Sequence, residues 1–408
     1  MKHQRIGLEQ IKQAREFLKN TITRTPVRRC PKAFELSGTE LFFKLENEQL
    51  AGSFKIRGAM NKMNALTAEE KKRGVIASSA GNHAQGVALA ATSLGVASHI
   101  VMPLTAPIVK INATKNYGAK VILHGDFYDE AYEHAKKLEA EKGYIFVHPY
   151  NDPYVVAGQG TIGLELMEDI QGLESIVIPI GGGGLISGIA TAVKTLNPKV
   201  RIIGVVSNQA PGMMHMFKGE AIPEAKKRAS TIADGIAVKM PSAEMNELYI
   251  SKLVDEIVSV DDNEIAQAIV FLLEKAKTVV EGSGAAALAA VMSKGASLQL
   301  GKKSCVILSG GNVDLNVMAK VIERGLRQEH RLARLTVVVD DLPGNLNRIT
   351  TVMAENRANI LEVYHDRVSP ELGLRETRID LLVETTSDEH IEQIKIGLKA
   401  QGCKIIGG

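Results

Sequence analysis

From about residue 40 onward, short apolar β-prone runs alternate with longer amphipathic segments, and this rhythm restricts the fold more than any other feature. The runs are Leu41–Leu45, Val75–Ser78, Ser98–Met102, Lys120–Leu123, Ile145–Val147, Ile176–Ile180, Ile202–Val206 and Cys305–Leu308. Several are apolar throughout rather than alternating, as strands covered on both faces must be. Strand and helix in alternation implies right-handed crossovers and mostly parallel sheets. So long a stretch fills two α/β subdomains more naturally than one sheet. Ahead of it, Leu8, Ile11, Phe17 and Leu18 recur at helical spacing and predict an opening amphipathic helix.

The rhythm changes near the end. A helix is expected from about Asp314 to Glu329, and after Arg331 a β-rich run covers Leu332–Val339. The turn Asp341-Leu342-Pro343-Gly344 follows, then a helix face at Leu346, Ile349 and Met353 and a strand at Ile360–Tyr364. Arg378–Glu384 reads as another strand, Ile391, Ile394 and Leu398 as a second helix, and Lys404–Ile406 as a last strand. The order β-α-β-β-α-β is that of a ferredoxin-like unit. The expected division is therefore 1–328 for the α/β body and 329–408 for the small unit.

Bulk properties narrow the function classes. The 408 residues are 45% hydrophobic and 23% charged, ordinary for a soluble globular protein. A formal net charge of +3 with no concentrated basic run argues against a nucleic-acid partner. Cys30, Cys305 and Cys403 form neither a metal-ligand spacing nor a disulfide framework, which favours a reducing compartment. No run has the character of a signal peptide or a membrane span, so a cytoplasmic protein is expected.

Three places carry chemistry. Ser53-Phe54-Lys55-Ile56-Arg57-Gly58-Ala59 lies at a strand-to-helix connection; a lone lysine there is ordinarily a solvated surface charge. Ser78-Ser79-Ala80-Gly81-Asn82-His83 opens a helix after a strand, where backbone amides either bind an anion or are simply capped by Ser79 or Asn82. Gly181-Gly182-Gly183-Gly184-Leu185 follows a strand and precedes a helix, so several amides can converge on a phosphate. The run is not a dinucleotide fingerprint, because Val205-Val206-Ser207 stands where the acid should be, and no Gly-Lys-Ser/Thr makes it a P-loop. A plain glycine-rich turn is the alternative.

These segments, with Glu281-Gly282-Ser283-Gly284-Ala285 and Ser309-Gly310-Gly311-Asn312, resemble the threonine dehydratases (threonine ammonia-lyases). Those are pyridoxal 5′-phosphate enzymes of fold type II, the tryptophan synthase β-like α/β fold. The likeness runs in order over about residues 5–325, and Ala157-Gly158-Gln159-Gly160-Thr161-Ile162-Gly163 is most like the short catabolic form. The tail resembles a single ACT domain through Asp341-Leu342-Pro343-Gly344-Asn345-Leu346 and Asn359-Ile360.

The resemblance implies that Lys55 holds the cofactor as a Schiff base and then acts as base on the substrate. Phe54 would pack beside the cofactor, Asn82 would donate to its 3′ oxygen, and Glu281 would lie near the ring. Gly181, Gly182, Gly183, Gly184 and Leu185 amides would hold its phosphate, and Ser309 its pyridine nitrogen. The Ser79, Gly81 and His83 amides would receive the substrate carboxylate. The implied reaction converts L-threonine to 2-oxobutanoate and ammonia by β-elimination, with L-serine to pyruvate as a lesser activity.

Serine racemases of this fold carry a serine before the Gly-Asn pair where Ala80 stands, so little racemisation is expected. Their metal site uses an acid where Val206 and Ser207 stand, so no metal is expected. Competing readings are a serine dehydratase or racemase of the same fold, or an ACT-bearing amino-acid sensor with a dead catalytic body. In the tail, Gly344, Asn345, Leu346 and Asn359 are the expected effector residues, for isoleucine, valine or AMP bound between paired tails. A homodimer or homotetramer is expected.

Overall fold

The computed structural model describes residues 5–223 and 231–407. The chain opens with the expected helix, Leu8–Leu18, which buries Ile11, Ala14 and Leu18. Two strands follow, β1 (Val27–Arg29) and β2 (Glu40–Lys44). The chain then leaves them to build a separate parallel sheet from β3 (Val75–Ser78), β4 (Ser98–Met102), β5 (Lys120–Leu123) and β6 (Ile145–Phe146), in the order β5-β4-β3-β6. It returns through helix Pro153–Asp169 to β7 (Ser175–Pro179), β8 (Arg201–Ser207), β9 (Glu256–Val260) and β10 (Lys303–Ile307). These join the first two strands in the order β1-β2-β10-β7-β8-β9. The body is thus two interleaved α/β subdomains, one inserted into the other.

Two strands escape the sequence pattern, and both are edges. β1 is Val-Arg-Arg, antiparallel to β2, with both arginines exposed. β9 is a parallel edge beside β8 with only Ile257 and Val260 buried. An edge strand has one neighbour and one wet side, so it needs no apolar run.

Helices Pro153–Asp169 and Gly184–Leu196 are buried along most of their length and pack against each other where a side chain would not fit. A Cβ at Gly188 would stand 2.4 Å from the Val156 carbonyl oxygen, and one at Gly163 2.9 Å from that of Ile189. Glycine here serves close helix approach rather than backbone freedom.

The C-terminal unit is an antiparallel sheet of β11 (Leu332–Asp340), β12 (Ile360–Asp366), β13 (Glu376–Glu384) and β14 (Lys404–Gly407), in the order β12-β13-β11-β14. Helices Asn345–Glu355 and Asp388–Ala400 supply Ile349, Val352, Met353, Ile394 and Leu398 to its core. This is the expected βαββαβ arrangement. The compact units divide between Val317 and Met318 rather than at 328/329. Most of helix Leu315–Gln328 therefore belongs with the small unit, where Ile322 and Leu326 line a crevice with Leu332, Leu361 and Leu382. Among the described residues no helix is long and apolar enough to cross a membrane.

Candidate active site

In parallel sheets the carboxyl ends of neighbouring strands lie side by side, and loops leaving them share one edge. β2, β10 and β7 are such neighbours. Their outgoing loops carry Lys55, Ser309 and Gly181. The Phe54 amide donates to the Ser309 carbonyl at 3.2 Å, and Ser53 pairs with Gly310 as an isolated bridge. Ser309 is buried. The approach to Lys55 turns through two successive left-handed residues, Ala51 at φ 58° and Gly52 at φ 68°. The alanine costs roughly 1–2 kcal/mol there. Its carbonyl accepts from the Asn312 amide at 2.7 Å.

Lys55 opens helix Lys55–Ala65, and its ammonium group donates to the Pro149 carbonyl at 3.1 Å. It sits 5.1 Å from the centroid of the half-buried Phe54 ring. Burial pushes the Lys55 amine down to about 8, against the pull of the nearby Glu281 carboxylate. A lysine so placed is part neutral near physiological pH, which a nucleophile or base requires.

The other sheet contributes Asn82, at the start of helix Asn82–Ser93 beyond β3. Its amide nitrogen donates to Glu281 Oε1 at 2.5 Å, and its Oδ1 accepts from Asn312 at 2.8 Å. The Asn82 amide keeps a second hydrogen for a ligand oxygen. Burial first, and the Asp234 charge second, push the Glu281 carboxyl up to about 8, against the Asn82 bond and the Lys110 and Lys55 cations. Gly310 is glycine because a Cβ would stand 2.5 Å from Glu281 Oε1 and 3.0 Å from Asn82 Nδ2.

Gly183 lies at φ 97° and starts helix Gly184–Leu196 with no side-chain cap. Leu185 is buried in its first turn. Tyr150 closes over the run: a Cβ on Gly182 would fall 2.1 Å from a ring carbon, and one on Gly184 2.9 Å from the Tyr150 Cβ. On the other side Gly181 abuts the Gly235 carbonyl and Ile236. An uncapped helix start flanked by glycines leaves backbone amides that can hold an anion.

The turn 79–83 is more self-satisfied than the sequence suggests. The Ser79 amide donates to the Val101 carbonyl at 3.2 Å, and the Gly81 amide to its neighbour Ser79 Oγ at 3.1 Å. His83 is buried, and its Nε2 donates to the Val147 carbonyl at 2.8 Å. Burial, with the Lys55 and His148 charges adding, pushes its imidazole down to about 3, against that bond. His83 is therefore neutral throughout the physiological range.

The four tail residues do not converge within this chain. Gly344, at φ 94°, precedes helix Asn345–Glu355, while Asn359 lies past its other end, about 16 Å along at 1.5 Å per residue. The buried Asn345 side chain is occupied by the Asp340 carbonyl and Arg348, Leu346 is exposed, and Asn359 donates to Glu384 at 2.8 Å.

Several site residues were not singled out from sequence. Asn312 ends the Ser309–Asn312 motif, and the sequence assigns it no role. Tyr150, Lys110 and Asp234 had no local signal. Lys110, on helix Ile108–Asn116, pairs with Asp234 at 2.5 Å.

A lysine amine lowered to about 8, an amide with a spare hydrogen and an uncapped glycine-flanked helix start fit pyridoxal phosphate: an aldehyde, a ring oxygen and a phosphate. The comparisons agree. The family described as "Pyridoxal-phosphate dependent enzyme" matches residues 18–310. An L-threonine ammonia-lyase of Thermotoga maritima is 48% identical over 402 residues, 98% of this chain and 99% of its own length. A catabolic L-threonine dehydratase of Staphylococcus aureus is 46% identical over 324 residues, covering 79% of this chain and 93% of the relative. Among solved structures, maize serine racemase superposes with a TM-score of 0.73 at 36% identity, covering 80% of this chain and 99% of that one. A threonine deaminase of Solanum lycopersicum gives 0.72 at 36% identity, covering 78% and 86%. The chain belongs to the pyridoxal-phosphate dependent enzymes, within the threonine ammonia-lyase family.

Proposed function

We infer that this protein deaminates L-threonine to 2-oxobutanoate and ammonia. The observation that carries the reading is full-length identity of 48% to an L-threonine ammonia-lyase, together with the buried Lys55 amine at about 8 beside Asn82 and Glu281. Bound pyridoxal phosphate supplies the electron-withdrawing ring that makes the substrate's Cα proton removable. Lys55 would hold the cofactor, and its freed amine would take that proton. The Gly181–Leu185 amides would bind the phosphate and Asn82 the ring oxygen. The Ser309 hydroxyl would face the ring nitrogen as a neutral partner, which would favour prompt loss of the β-hydroxyl over transamination. The released enamine hydrolyses to the keto acid and ammonia.

The residues Ser79, Gly81 and His83 would turn toward the substrate carboxylate, with the Ser79–Gly81 bond exchanged for one to the ligand. L-Serine would react more slowly, to pyruvate. The likeness to maize serine racemase raises a second reading, but Ala80 offers only a methyl group where a second acid/base hydroxyl would be needed.

The C-terminal βαββαβ unit would act as an ACT regulatory domain in a cytoplasmic homodimer or homotetramer. Gly344–Leu346 and Asn359 stand at opposite ends of helix Asn345–Glu355, so an effector site drawing on both would need a second tail alongside. Isoleucine or valine would signal in isoleucine biosynthesis, and AMP in threonine catabolism. A coupled assay of 2-oxobutanoate from threonine, with serine as comparison, tests the activity; chiral analysis of residual serine tests the racemase reading. Adding isoleucine, valine or AMP while following particle size tests regulation. No change in rate or size with any of them defeats the regulatory part alone.

A further inference from the structure

Two residues beyond Lys55 lies a cluster of four buried charges. The Arg57 guanidinium is fully buried and holds two carboxylates at once. Its Nε and Nη2 donate to Glu46 Oε2 and Oε1, both at 2.8 Å. Its Nη1 and Nη2 donate to Glu165 Oε1 and Oε2 at 2.6 and 3.0 Å, and Nη1 also reaches Thr161 Oγ1 at 3.1 Å. The buried Lys44 ammonium donates to Glu165 Oε2 at 2.5 Å and to the Thr25 carbonyl at 2.7 Å. Two cations face two carboxylates, so the cluster is neutral.

We propose that Arg57, clamped by Glu46 and Glu165, is the positioning residue that sets the direction in which Lys55 points. This rests on Lys55 being the lysine that carries the cofactor. Residues two apart on a helix point about 200° from each other. When Arg57 is pulled into the core, Lys55 is therefore turned out to the cleft, where it meets the Pro149 carbonyl. The clamp gathers three further segments onto the first turn of Lys55's helix: the end of β2 with Glu46 just beyond it, Thr25 ahead of β1, and helix Pro153–Asp169. Bidentate forks fix a guanidinium in angle as well as distance, which a single lysine contact does not.

Helix Pro153–Asp169, which carries Glu165 and Thr161, also fixes the turn by backbone contact. A Cβ on Gly158 would stand 2.5 Å from the Arg57 carbonyl oxygen, and one on Gly58 2.8 Å from that of Val155. Buried ion clusters of this kind are rarely the most stable way to fill a core, so their geometry is the feature to explain. A base must hold its place to within a fraction of an ångström, and a misplacement of about 1 Å costs on the order of 100-fold in rate. The shift in the Lys55 amine has other causes, burial and Glu281, so Arg57 acts on direction rather than proton affinity.

The test compares holoenzyme with Arg57→Lys, which keeps the charge but loses both forks, and Met63→Ala, a core change at the far end of the same helix. Expected for Arg57→Lys is a kcat lower by about 10- to 100-fold, with KM for threonine within about threefold. Its visible cofactor band should remain and the pH midpoint of kcat/KM should not move. Met63→Ala should lower the melting temperature without lowering kcat. The proposal is overturned if Arg57→Lys keeps kcat within twofold of the parent, if its loss is matched by Met63→Ala at equal loss of melting temperature, or if its pH midpoint moves. Should Arg57→Lys not fold, Thr161→Val removes one guanidinium contact without touching charge. A two- to fivefold fall in kcat at unchanged pH midpoint then supports the clamp, and an unchanged kcat overturns it. Loss of the cofactor band in Lys55→Ala is read separately, and its persistence would defeat the assignment of Lys55 rather than the clamp.

Discussion

The Asn82 amide nitrogen donates to Glu281 Oε1 at 2.5 Å across 199 residues of sequence. One partner begins the helix after β3, in the four-stranded subdomain; the other precedes helix Gly282–Lys294, which packs on the six-stranded one. The bond ties the two subdomains together over the site and holds the Asn82 side chain in one orientation.

Glu281 also sets the electrostatics of Lys55. Its charge pulls the Lys55 amine upward, against burial. Glu281→Gln removes that pull, so the condensation of the cofactor-free Lys55 amine with pyridoxal phosphate, whose rate rises as that amine loses its proton, should reach its midpoint at lower pH. A pH–rate profile of the two proteins checks this; an unchanged or higher midpoint would mean that Glu281 does not act on Lys55.

Lys55→Ala should abolish the visible band of the lysine-bound cofactor and lower kcat by about 10²–10⁴-fold, the usual contribution of a positioned base. Absorbance and the 2-oxobutanoate assay measure the two effects.

Gly182→Ala places a methyl group 2.1–2.4 Å from ring carbons of Tyr150. Overpacking of this kind costs about 1–3 kcal/mol. If Tyr150 and the glycine run form the phosphate cradle, cofactor affinity should fall about tenfold or more, while kcat at saturating cofactor changes little. Titration with pyridoxal phosphate reports this, and unchanged affinity would place the phosphate elsewhere.

His83 gives a stability prediction at acid pH. Its imidazole, ordinarily near 6.5, is lowered to about 3 by burial. Between those values the unfolded chain binds a proton that the folded one does not. The stability that neutral His83 permits is thus complete above about pH 6.5 and lost as pH falls toward 3, by up to about 1.4 kcal/mol per pH unit. His83→Gln, which keeps a donor for the Val147 carbonyl, should flatten this slope in urea denaturation at pH 6.5 and 5.

Strand positions in the body were legible because buried parallel strands must be apolar throughout. β3 and β4, buried almost throughout, fall on the expected residues, whereas the edges β1 and β9 carry no such run. The boundary at Val317/Met318 was hidden because helix Leu315–Gln328 reads as continuous with what precedes it; only packing assigns most of it to the small unit. The tail's four residues lie on loops whose order shows in sequence, but their separation by a whole helix does not.

Through their likeness to the threonine dehydratases, motifs in order along the sequence single out Lys55, Asn82, the glycine run and Ser309; strand periodicity and helix starts alone place these segments at strand ends but leave Lys55 an ordinary surface lysine. Tertiary structure decided how Lys55 is aimed and what proton affinity it has. Both depend on groups far away in the chain: Glu46 and Glu165 on Arg57, and Glu281 beside the amine. Desolvation and ion pairing exist only once the chain has closed around those charges. Lys55 therefore carries its chemical type from its sequence, and its direction and its amine at about 8 from the fold.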